Sequence, residues 1–157
     1  MGRSASHIAL ECALQVQPNV AIISEEVEAK NQTLDDVVTY IAEVVAARAA
    51  QGENFGTVLI PEGLIEFIPA FKALIAELND YLAHHEAEFR AVPADEQRAY
   101  IAEHLSAANS SLYASLPATV ARPLTLDRDP YGNVQVSLIE TEKRLAAMVA
   151  TNLAAWK

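Results

Sequence analysis

From Thr33 to Ala50 the apolar residues Val37, Ile41, Val44, Val45 and Ala49 recur three or four positions apart, the repeat of one face of an α-helix. Thr33-Leu34-Asp35-Asp36 supplies a capping residue and first-turn acids, and Gln51-Gly52 a stop. The same period returns from Leu64 to about His84 through Ile65, Ile68, Phe71, Leu74, Ile75 and Leu78. Pro69 predicts an irregularity near its start. Two stretches break the pattern. Val20-Ala21-Ile22-Ile23-Ser24 is a short β-branched run without polar alternation, which predicts a strand buried on both faces, as in a parallel sheet. Residues 55–60 form the second strand candidate, ended by the turn Pro61-Glu62-Gly63. Ahead of both, Ser4 or Ser6 caps a short helix whose inner side carries Ile8, Cys12 and Val16.

Between the first strand and the Thr33 helix, Glu25, Glu26 and Glu28 read as a polar loop. The order helix, strand, helix, strand, helix is the grammar of a doubly wound α/β layer, and two strands make so thin a sheet that the chain is expected to be part of a larger one. After His85 the grammar changes. Pro93-Ala94-Asp95-Glu96-Gln97 starts a helix, Ser110 to Pro117 forms a short element, and Asp127 to Asn133 is turn-rich. Residues 134–136 suit an extended piece or the start of a helix. Ser137 and Glu140 have capping-box spacing, followed by a last helix with Leu138, Ile139, Leu145, Met148, Val149 and Leu153 on its apolar face. The fold class is α/β and helix-rich, with a partial doubly wound parallel sheet.

Composition narrows the function. The 157 residues are 52% hydrophobic, enough for a core, and only 6% aromatic, which favours close-packed helices. Eleven Lys and Arg against 21 Asp and Glu give a net charge of −10, so the field repels a polyanion and nucleic acid is not an expected partner. One cysteine, no secretory leader and no apolar run near the roughly 20 residues of a membrane span predict a cytoplasmic protein.

Generic catalytic signatures are missing: there is no P-loop, GxGxxG, CxxC or nucleophile elbow. His84 and His85 are adjacent on a helix and cannot share a metal simply, so a solvated helix end is the expected reading. His7 and Glu11 have the spacing of a metal pair but also of an ordinary helical contact. Cys12 reads as a buried apolar residue, and the glutamate cluster as a solvated loop. Arg3 and Glu62 are more informative. Arg3 precedes a helix start, where free amides favour an anion, and Glu62 follows a strand at the carboxyl edge where open α/β sheets gather ligands. Arginine suits phosphate and glutamate suits sugar hydroxyls, although each is also an ordinary surface charge.

Three segments carry a family resemblance. The run Met1-Gly2-Arg3-Ser4-Ala5-Ser6-His7-Ile8-Ala9-Leu10-Glu11-Cys12 resembles the segment that opens the fructose 6-phosphate site of pyrophosphate-dependent phosphofructokinases. Residues 58–64 resemble that family's second substrate-binding stretch, and residues 135–143 a later segment of its long, plant-like type. The resemblance implies an enzyme that moves a phosphoryl group reversibly between pyrophosphate and the 1-hydroxyl of fructose 6-phosphate, with Mg2+. It implies that Met1, Gly2 and Arg3 contact the sugar phosphate and that Glu62 binds the sugar. The intact motifs favour the catalytic type of chain over a regulatory subunit.

The family's glycine-rich pyrophosphate loop, Thr-Ile-Asp-Gly-Asp segment and Tyr-Glu-Gly-Arg segment do not occur. The resemblance therefore implies a fragment without catalytic or metal-binding residues, its Mg2+ held elsewhere in the parent. The implied domains are residues 1–80, a partial phosphofructokinase-like α/β sugar-phosphate domain; 81–134, an all-helical insertion; and 135–157, a helix returning to the α/β part. The expected partners are fructose 6-phosphate and pyrophosphate in the parent, with a homo-oligomer and no membrane. The rival expectation is a free-standing acidic helical interaction domain in which Arg3 and Glu62 are incidental.

Overall fold

The computed structural model describes residues 5–126, 134, 139 and 141–156. The element order is α1 (His7–Val16), β1 (Val20–Ala21), α2 (Ser24–Ala29), α3 (Leu34–Ala50), β2 (Val58–Leu59), a 3-10 turn (Leu64–Phe67), α4 (Pro69–Ala91), α5 (Gln97–His104), α6 (Ala107–Ser115), α7 (Ala118–Leu126) and α8 (Thr141–Ala155). The chain divides into two compact units, residues 1–69 with 140–157, and residues 70–139.

The first unit is a partial doubly wound layer. β1 and β2 run parallel, Val20 opposite Val58 and Ala21 opposite Leu59. α3 starts where its sequence says it should: the Thr33 hydroxyl accepts from the Asp36 N–H at 3.2 Å while the Asp36 carboxylate accepts from the Thr33 N–H at 2.8 Å. That reciprocal capping box satisfies two otherwise orphan donors. Gly52, at φ +81°, turns the chain out of the helix in a conformation that side chains disfavour. α3 packs on α8, and Val37, Ile41, Leu145 and Val149 are all buried.

Three expectations for this unit need correcting. The glutamates read as a loop belong to a helix, α2, with Glu25 and Glu26 in its first turn, where acids favour the helix dipole. The strands are shorter than their apolar runs, two paired residues each. The side of α1 expected to be internal is not, since Cys12 is exposed and Ile8 and Val16 are 47% and 66% exposed.

The described residues of the second unit are helical apart from their turns and Val134. α4 takes Pro69 as its first residue, where a missing N–H costs nothing. It continues beyond the predicted end at His84 through a kink at His85 (φ −123°, ψ 18°). The Glu77 carboxylate on α4 accepts from the Ser106 N–H at 2.7 Å and the Ser106 hydroxyl at 2.9 Å, tying α6's first turn to α4. Burial would raise the Glu77 pKa, but these donors and the Asn109 amide prevail and lower it. α7 was not legible beforehand, because Pro123 lies inside it. The turn expected at residues 127–133 and the capping box at Ser137 fall outside the described residues.

Candidate functional site

Because the strands are parallel and in register, both end at one edge. The Ile22 N–H donates to the Leu59 carbonyl at 2.9 Å, extending the ladder toward that edge. Ser24 and Glu62 each stand three residues beyond the paired positions Ala21 and Leu59. The carboxyl edge of a parallel sheet is where α/β proteins place ligands, because the strands stop there and the following loops diverge.

Glu62 sits in a tight turn. The Leu64 N–H donates to the Pro61 carbonyl at 3.2 Å, and the Glu66 N–H to the Gly63 carbonyl at 3.0 Å. Pro61, Gly63 and Leu64 are buried while Glu62 is exposed. The backbone is thus gripped on both sides of a carboxylate that faces solvent. Among the described residues nothing hydrogen-bonds or ion-pairs with it, leaving its lone pairs open to hydroxyl donors.

On the neighbouring strand end, Ser6 is the key residue. It occupies the N-cap position of α1 but makes no side-chain capping bond. Its buried Oγ instead accepts from the Ser24 N–H at 2.8 Å, and its own N–H donates to Glu25 Oε1 at 2.8 Å. These bonds fasten the chain just after the Arg3 motif to the end of β1. Met1, Gly2 and Arg3 themselves lie outside the described residues. The Ser24 hydroxyl is buried there with no partner among those described.

Sequence reasoning passed over Ser6, Ser24 and Glu25 as site residues, because their bonds span 18 and 19 positions and no periodicity encodes them. The Glu25 pKa is lowered, chiefly by the Ser6 N–H and next by its own backbone and the Ser6 hydroxyl. A carboxylate with a depressed folded-state pKa stabilises the fold above its unfolded value, and that contribution disappears as pH falls through the folded value. Wild type is therefore expected to lose urea resistance below the ordinary glutamate value of 4.5, and Glu25→Gln to show a shallower acid limb. Identical limbs in a pH series of urea midpoints would show that the contact does not stabilise the fold.

The other candidates take ordinary roles. His84 Nδ1 lies 2.9 Å from the Asp80 carbonyl and His85 Nδ1 3.1 Å from Glu88, within their own helix. Glu11 accepts from Gln15 rather than joining His7. Among the described residues no three His, Cys, Asp or Glu side chains are grouped to hold a metal ion. A cleft of about 240 Å3 beside β1, lined by Ile22, Glu26, Lys30 and Tyr40 among others, does not include Glu62.

No protein-family model matches the chain. Individual proteins do. It is 65% identical over 156 residues to a pyrophosphate–fructose 6-phosphate 1-phosphotransferase of Porphyromonas gingivalis, covering 99% of this chain and 28% of that protein. The enzyme of the same name from Treponema pallidum is 54% identical over 100% of this chain and 28% of its own length. That from Entamoeba histolytica is 50% identical over 98% and 28%. The chain is homologous to a segment of the pyrophosphate-dependent phosphofructokinases. It spans little more than a quarter (28%) of the length of these relatives. The Treponema match takes in the whole chain, positions 1–3 and 62 included.

Proposed function

We propose that the chain forms part of the fructose 6-phosphate site of a pyrophosphate-dependent phosphotransferase and supplies substrate positioning rather than the chemical step. In the parent reaction the 1-hydroxyl of the sugar attacks pyrophosphate, forming one P–O bond as another breaks, and positioning with charge stabilisation supplies most of the acceleration. The Arg3 guanidinium binds the sugar's phosphate, Met1 and Gly2 contribute to that end of the site, and Glu62 orients the ring through its hydroxyls. The observation that supports this reading is the shared carboxyl edge: Ser6, three residues after Arg3 in the sequence, is fastened to the end of β1 while β2 delivers Glu62 three residues past the same register.

Mg2+, if the parent uses it, neutralises developing phosphate charge. Among the described residues no three His, Cys, Asp or Glu side chains are grouped around one point, and no step is derived through the ion here. The parent is proposed to be a cytoplasmic homo-oligomer. No described helix is long and apolar enough to cross a membrane. Residues 81–134 are proposed to be an insertion in the α/β frame, which the helical character of the second unit supports.

The test is a coupled assay for fructose 1,6-bisphosphate. The intact parent is expected to turn over with pyrophosphate as donor, whereas this chain alone is expected to give no rate above a protein-free control. Turnover by the isolated chain, or a parent inactive with pyrophosphate, would overturn the reading.

A further inference from the structure

The second unit carries a cleft of about 330 Å3 whose wall includes Asp95, Gln97, Arg98, Tyr113, Arg122 and Thr125. That volume is at the lower end of small-molecule sites. Its floor is partly apolar, with Ala118 and Ala121 from α7.

Lys30, Arg48 and Arg90 each pair with a glutamate, at 2.9, 2.7 and 2.6 Å respectively. Arg122 does not. It makes no side-chain hydrogen bond or ion pair among the described residues, although the chain holds 21 acidic side chains against 11 basic ones. Arg98 bonds the carbonyls of Ala114 and Leu116 through one nitrogen, Nη2, which fixes the plane of its fork. Tyr113, 2% exposed, lines the same space. Burial raises its pKa, against a side-chain hydrogen bond with Thr125 and the charge of Arg98, which lower it. Asp95 is the opposing group: its carboxylate joins the rim without an ion pair to either arginine.

We propose that this cleft binds a small phosphate monoester, its phosphate held by Arg122 and Arg98 and its body lying over the alanines. The Arg122 fork and the nitrogens of Arg98 not bonded to the Ala114 and Leu116 carbonyls offer more donors than a single carboxylate can accept, whereas a phosphate presents three oxygens to them. The cleft lies wholly within the second unit, and its residues are other than those assigned to the sugar site.

The probe is inorganic phosphate, titrated into the full 15N-labelled chain at constant ionic strength, with acetate as a parallel series. Phosphate is expected to give saturable shifts at the amides of Gln97, Tyr113, Ala118 and Thr125, and acetate weaker ones. Arg122→Gln, at an exposed position, is expected to weaken phosphate binding by about tenfold or more, with circular dichroism confirming an unchanged fold. Asp95→Asn is expected to strengthen it by removing a repulsive charge. Glu62→Gln should leave it untouched, whatever becomes of the sugar site. Shifts that never saturate, equal binding of acetate, unchanged affinity in Arg122→Gln, or weaker binding in Asp95→Asn would each overturn the proposal.

Discussion

Leu64→Ala is expected to destabilise the chain by about 2–5 kcal/mol, the usual cost of truncating a buried leucine. Leu64 is 0% exposed and opens the 3-10 turn that packs on α2. Its N–H also closes the turn around Glu62, so the backbone at this point cannot collapse into the space left by the side chain without breaking that bond. The cavity should therefore persist, placing the cost in the upper part of the range. Leu14→Ala is the matched control: Leu14 is 66% exposed and its removal should change stability by no more than about 0.5 kcal/mol. Urea denaturation of both variants, followed by circular dichroism, compares them directly. Equal midpoints would mean that the turn carrying Glu62 is not anchored by this leucine.

The same contrast explains what could be read from the sequence. α3 was legible to its ends because its signals are local: Thr33 and Asp36 close their own capping box, and Gly52 stands one residue past the cap. The parallel pairing was legible from two β-branched runs, although only two residues of each are paired. α2 was not, because glutamates in a helix's first turn look like glutamates in a solvated loop. What distinguishes them is Glu25 meeting the Ser6 N–H, a contact across 19 residues. α7 was hidden by Pro123, a breaker by composition that a nine-residue helix accommodates.

α1 is a different kind of miss. Its apolar residues were recognised and their direction assumed, yet Ile8, Leu10, Leu14 and Val16 are all exposed. A hydrophobic pattern reports what a helix was selected to bury, not whether the burying surface belongs to the same stretch of chain. The relatives are more than three times as long as this chain's match to them, and the apolar positions of α1 are not covered by the described residues of this chain. At the site, Arg3 and Glu62 stood out by residue type and position and took their roles from the family resemblance, whereas the edge that Glu62 shares with Ser24 follows from strand register. The serine contact at that edge joins residues 18 positions apart, which no local pattern encodes.

The proposed division of labour between Arg3 and Glu62 has a sharp consequence in the intact parent. Arg3→Ala is expected to weaken fructose 6-phosphate binding roughly ten- to a hundredfold, since a charge-assisted hydrogen bond is worth about 1.5–3 kcal/mol. It should leave the already weak binding of unphosphorylated fructose unchanged, because that ligand presents nothing for the guanidinium to hold. Glu62→Gln keeps the side chain's length and one acceptor oxygen but loses the charge, and it should weaken both ligands by a similar factor. Leu64 and the Pro61 carbonyl hold the turn independently of the Glu62 side chain, so folding should survive this change. Calorimetric titration of the two ligands into the two variants gives four affinities with a fixed pattern. If Arg3→Ala weakens fructose as much as its phosphate, or Glu62→Gln changes neither, these residues do not divide the sugar phosphate between them in the way proposed.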